Sequence, residues 1–154
     1  MYYTLGILFI GLVQRQRARR NDNGTAVAAE EKESSASFPT EKRFGISNNG
    51  RFSESVSYGG VVYTSGQVGK GRTIHEATAS ALEDVDHALA LASSDKSKLL
   101  SVTIYLRNIN RDYSGMNEVY DQWIHPGKPP CRATVEAKLA DPEWLIEVHA
   151  IARQ

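Results

Sequence analysis

PPCRATVEAKLADPEWLIEVHAIA, residues 129–152, is the stretch whose reading decides the fold. Within it, residues 131–139 and 144–152 are rich in small and β-branched side chains and are separated by Ala140, Asp141, Pro142 and Glu143, so they read as two strands and a turn. Alternation along a strand gives each of them two chemically different faces. Cys131, Ala133, Val135 and Ala137 are expected on the core side of the first, with Arg132, Thr134, Glu136 and Lys138 pointing away. In the second, Ile146, Val148, Ala150 and Ala152 are expected inside, with Glu147 and His149 outside. Arg132 and Glu147 are thereby expected on non-core faces, and Cys131 is expected to be a small buried residue rather than a nucleophile.

Working outward, Met116, Val119, Tyr120, Trp123 and Ile124 form the apolar stripe of a helix that Asp112 is expected to cap and Pro126-Gly127 to end. Before it, residues 99–107 alternate Leu100, Val102, Ile104 and Leu106 with Ser101, Thr103, Tyr105 and Arg107, the pattern of a half-buried strand. Residues 74–92 carry Ala77, Ala81, Leu82, Val85, Ala88, Leu89 and Ala92 at helical spacing, opposite Glu83, Asp84 and Asp86. His75 and His87 on that helix are too far apart for a paired metal site. The loop GQVGKGRT, residues 66–73, has two residues between its first glycines and Gly71 after Lys70, so it lacks the spacing of a phosphate-binding P-loop. Residues 51–58 and 61–65 are strand formers joined by Gly59-Gly60, a hairpin signal. The elements follow the order ββαβαββ, an α+β domain with both helices expected on one face of a single sheet.

Residues 1–42 read differently. Tyr2 to Val13 is apolar but falls short of the roughly 20 residues a spanning helix needs, and Arg15, Arg17, Arg19 and Arg20 follow the apolar run rather than precede it as a secretory signal requires. The next stretch is polar and poor in large apolar residues. Residues 1–42 are therefore expected to be a disordered extension of a cytoplasmic protein or, alternatively, a mitochondrial targeting segment, with the domain occupying 43–154. The chain has 154 residues, a formal net charge of zero and one cysteine. That length suits one domain with a modest core. The charges also balance within the domain, so no basic footprint for nucleic acid is present, and a single cysteine excludes an internal disulfide framework.

Three runs together carry a family likeness: VYTSGQV at 62–68, MNEVY at 116–120, and PPCRATVE at 129–136 followed by Ile146-Glu147-Val148. The chain resembles the reactive-intermediate deaminase (Rid, or YjgF-like) family, whose older label is endoribonuclease L-PSP. The resemblance covers residues 51–152. It implies a chorismate-mutase-like α+β fold assembled as a homotrimer, sheets inward and helices outward, with three sites between subunits. It also implies hydrolysis, without cofactor or metal, of enamines and imines such as 2-aminoacrylate to 2-keto acids and ammonia.

Carried over residue by residue, the likeness assigns the substrate carboxylate to Arg132, the orientation of the attacking water to Glu147, and the serine of the strand-end SGQ motif to Ser65. Phe52 stands where better-known members have a tyrosine, and Thr134 where they have a cysteine; both are expected beside the substrate. A guanidinium holds a carboxylate through two parallel hydrogen bonds, and a partly buried carboxylate accepts a proton from water as it attacks. Two alternatives stand beside this reading: a trimer that binds a small carboxylate without turnover, and an endoribonuclease. Arg132 and Glu147 as a structural ion pair is the bland account of the same residues.

Overall fold

The computed structural model describes residues 39–154; the apolar run, the arginine cluster and nearly all of the polar linker read from the sequence lie outside them. The chain runs through β1 (Lys42–Ile46), β2 (Ser53–Tyr58), β3 (Val61–Thr64), β4 (Gln67–Val68), α1 (Ile74–Leu91), β5 (Leu99–Leu106), α2 (Ile109–Trp123), β6 (Cys131–Glu136) and β7 (Ile146–Arg153). Gly59 and Gly60 both take positive φ, 59° and 77°. That is the conformation a two-residue hairpin turn needs, and it pairs Tyr58 with Val61 as expected. Two strands add to the order read from sequence. β1 pairs along β2, but Gly45 with its positive φ interrupts any alternation in KRFGI, and β4 is too short to show a period.

The strands form one mixed sheet in the order β1-β2-β3-β7-β5-β6, with β4 also on β7. The two strands expected in residues 131–152 exist, but they are not neighbours. β5 lies between them, parallel to β6 and antiparallel to β7. α2 supplies the crossover that a parallel pair requires, and the segment from β6 to β7 must span about 9–10 Å across β5 rather than turn tightly.

Both helices pack on one face of the sheet, giving the expected α+β architecture. α1 begins at a reciprocal cap: Glu76 N donates to Thr73 Oγ1 at 3.2 Å and Thr73 N donates to Glu76 Oε2 at 3.1 Å. Its fully buried Ala77, Ala81, Val85, Ala88 and Leu89 join Val62, Val102, Ile104, Val148 and Ala150 in the core. The α2 cap is Asn108, not Asp112, for Asn108 Oδ1 accepts from Arg111 N at 3.0 Å. Asp112 instead lies in the first helical turn, 3% exposed, and holds Arg111 at 2.6 Å. No helix among the described residues covers the opposite face of the sheet. Tyr58 and Tyr63 stand on it 51% and 44% exposed, and across β7 and β5 Val135 is 43% exposed, with Glu147, His149 and Thr103 on the same face between them.

Candidate functional site

β5 decides which way the candidate residues point. Its core residues Val102, Ile104 and Leu106 lie opposite Arg132, Thr134 and Glu136 of β6. Arg132, Thr134 and Glu136 therefore face the helix layer, while Cys131, Ala133 and Val135 face the open side, the reverse of the sequence expectation. Cys131 is correspondingly exposed, not buried. The small apolar side chains gave a misleading signal because β6 is an edge strand that carries Cys131, Ala133 and Val135 on its open face, where they are exposed. Contacts agree with the register. The Arg132 guanidinium carbon stands 4.6 Å from the centre of the Tyr120 ring on α2. Glu136 Oε2 accepts from Ile109 N at 3.0 Å, an anion at the start of α2, so this carboxylate ties helix to strand rather than decorating a solvated face.

Arg132 itself is exposed and has no hydrogen-bond or ion-pair partner among the described residues. Tyr120 beneath it is 5% exposed, and burial pushes its phenol pKa up, with the Arg132 charge opposing. Tyr120 Oη, Asn117 Oδ1 and Thr134 Oγ1 are buried with no hydrogen-bond partner among the described residues.

β7 keeps the expected alternation. Ile146, Val148, Ala150 and Ala152 are buried, and Glu147 and His149 stand on the open side opposite Tyr105 and Thr103 of β5. A cleft of about 370 Å³ opens there between Gly66, Tyr105, Lys138, Leu139, Glu147 and His149. Burial holds the His149 pKa below its ordinary value, partly offset by the neighbouring Glu147 carboxylate, so the imidazole is neutral at neutral pH.

The cleft exists because the strand beside β7 is broken. β3 and β4 run along the same edge of β7, interrupted at Ser65-Gly66, and Ala150 N across the gap donates to Thr64 Oγ1 at 3.0 Å. A Cβ at position 66 would collide with the Glu147 carboxylate, so glycine is what leaves room for that acid. Gly66 is a site residue that sequence reasoning missed; its signal was a glycine at a strand end inside the run SGQ. Gln67 Nε2 donates to Ser65 Oγ at 2.9 Å and to Glu54 Oε2 at 3.3 Å, fixing Ser65 next to the gap. Phe52, half exposed in the turn between β1 and β2, is not among the residues lining the cleft.

One chain thus gathers Gly66, Glu147 and His149 around the cleft on the open side of the sheet, holds Ser65 beside the strand break but not among the residues lining the cleft, and keeps Arg132 and Thr134 on the helix side. Within a chain Arg132 and Glu147 project from opposite faces and cannot pair. No group of three or more metal-ligating side chains occurs among the described residues, and none of their helices is long and apolar enough to cross a membrane.

Residues 43–154 match the family described as endoribonuclease L-PSP. The chain belongs to this family. A RutC family protein of Haemophilus ducreyi is 40% identical over 100 residues, 64% of this chain and 85% of its own length. The Schizosaccharomyces pombe protein mmf2, named as mitochondrial, is 35% identical over 118 residues, 71% of this chain and 92% of its own. The crystal structure of a YjgF family member from Neisseria meningitidis superposes with a TM-score of 0.71 at 41% identity, covering 75% of this chain and 95% of that one. The YjgF-like likeness read from VYTSGQV and PPCRATVE is therefore a true kinship, and it extends to the two-helix mixed-sheet fold.

Proposed function

We propose that this L-PSP family chain hydrolyses imines of 2-oxo acids, and the enamines that tautomerise to them, to 2-keto acids and ammonia. The observation that carries the reading is Arg132: an exposed guanidinium over the Tyr120 ring with no acidic partner among the described residues. A structural ion pair is the chief rival, and Arg132 and Glu147 do not form one within a chain. In the proposed reaction Arg132 binds the substrate carboxylate by its two-pronged edge. Glu147, in its cleft, accepts a proton from water as the oxygen attacks the C=N carbon. The tetrahedral carbinolamine then expels ammonia as its nitrogen is protonated, leaving the carbonyl. Only water is consumed.

Because the two groups leave opposite faces of one sheet, the site is completed by a second copy, which fits the homotrimer that the kinship suggests. The open face of the sheet, with Tyr58, Tyr63 and Val135 exposed on it, is the surface such a copy would cover. The balanced charge of the chain gives no support to RNA as substrate.

The test is keto-acid release from enzymatically generated 2-aminoacrylate. Arg132→Ala should weaken binding of the imino acid by roughly 2–5 kcal/mol, while Glu147→Gln should lower turnover about 10²- to 10⁴-fold with carboxylate affinity held. Carboxylate binding by the parent without any acceleration over the spontaneous reaction would make this a binding protein. Two variants that keep full activity per folded assembly would remove the catalytic assignment.

A further inference from the structure

An arginine that is to bind a carboxylate must be held still without spending the donors it needs. The usual way to fix a guanidinium, an aspartate or glutamate beside it, occupies the fork and cancels the charge. Arg132 is held another way. Its guanidinium carbon lies 4.6 Å from the centroid of the Tyr120 ring, and no acidic group among the described residues pairs with it. An aromatic face attracts the cation through the ring quadrupole without placing a carboxylate on its N–H donors, which stay available. The ring is itself fixed. Tyr120 is 5% exposed, sits on α2 one turn after the fully buried Met116, and packs against Trp123 with 5.7 Å between ring centres. α2 is in turn tied to the strand bearing Arg132 through Glu136 and Ile109 N. The Tyr120 hydroxyl is buried with no partner among the described residues, so none of their polar groups fixes the ring through it.

From this geometry we infer that Tyr120 is the positioning residue of the carboxylate-binding arginine: its ring face holds Arg132 in place and leaves its N–H donors and charge for ligand. The inference rests on the carboxylate role of Arg132 proposed above, and it separates ring from hydroxyl and stacking from packing.

The experiment titrates the full chain with pyruvate and, as the neutral counterpart, methyl pyruvate, followed by NMR chemical shifts, with a melting curve for every variant. Tyr120→Phe keeps the ring and should hold pyruvate affinity within about 2-fold. Tyr120→Leu keeps an apolar filler and loses the face. It should weaken pyruvate roughly 3- to 30-fold, raise KM for the imino acid with kcat largely retained, and leave methyl pyruvate as in the parent. Should the leucine variant fail to fold, pentafluorophenylalanine at position 120 makes the same comparison, since it preserves the ring shape and reverses its quadrupole. Parent-like pyruvate affinity in the variants that lack an electron-rich face, or an equal loss for pyruvate and its ester, overturns the role of Tyr120. Arg132→Ala separates the two levels: if it weakens pyruvate and the Tyr120 variants do not, only the positioning role falls. If Arg132→Ala binds pyruvate as the parent does, the carboxylate reading falls and the Tyr120 role with it.

Discussion

Gly66 and Glu147 show how much a site can depend on the absence of a side chain. The acid occupies space that any Cβ at position 66 would claim, and the atom it would strike is the far end of a flexible side chain rather than backbone. Gly66 does not take the left-handed conformation that would require glycine for its own sake, so its role is steric. Gly66→Ala should therefore cost little stability, because the carboxylate can swing away, yet it should lower imine hydrolysis at least 10-fold by moving the proton acceptor off the water. Melting temperature and turnover on the same preparation check this; a large fall in melting temperature with turnover per folded protein intact would show that Gly66 serves the fold alone. At this scale the sequence was half legible. The alternation of β7 placed Glu147 and His149 correctly, since Ile146, Val148, Ala150 and Ala152 leave no doubt about the core face. The same rule reversed Arg132, because in β6 the residues on the open side are as apolar as those that alternation assigns to a core.

At the scale of elements, α1 was readable almost to the residue, and the physical reason is redundancy. Its apolar stripe over 74–92 was enough to place the observed Ile74–Leu91, and the cap at Thr73 with the acid at Glu76, signals the sequence reading did not draw on, points to the same start. Thr73→Ala should remove one half of the reciprocal cap and cost about 1 kcal/mol, a fall of a few degrees in melting temperature at fixed protein concentration, with no change in KM. An unchanged melting curve would mean that tertiary packing alone holds the first turn of α1. α2 was less legible at its start, since Asn108 and Asp112 are both good capping residues and only the backbone shows that Asp112 is buried against Arg111. Strand neighbours were the hardest to read. Nothing in residues 129–152 announces that β5, some thirty residues earlier, inserts between the two strands; that order follows from the crossover through α2, a property of the chain path and not of local composition.

The whole molecule sets the last question, because one chain holds its guanidinium and its carboxylate on opposite sides of a sheet. If sites form between copies in a closed ring of three, each site takes Arg132 from one subunit and Glu147 from its neighbour. Light scattering on the full chain should then give three chains per particle, and a clean monomer at micromolar concentration would leave the two groups apart. A mixing experiment goes further. Trimers made only of Arg132→Ala chains, or only of Glu147→Gln chains, contain no intact site. After the two variants are unfolded, mixed in equal amounts and refolded together, an intact site arises wherever a Glu147→Gln chain supplies its arginine to a neighbouring Arg132→Ala chain that supplies its glutamate. Random assembly makes each requirement true half of the time, so about a quarter of the parent activity should return. Recovery also requires exchange, so the same chains mixed without unfolding should regain less, by however little the folded trimers exchange. If instead both groups acted from a single chain, no combination of these variants would restore a site, and co-refolded mixtures with normal trimer mass would stay as inactive as either variant alone.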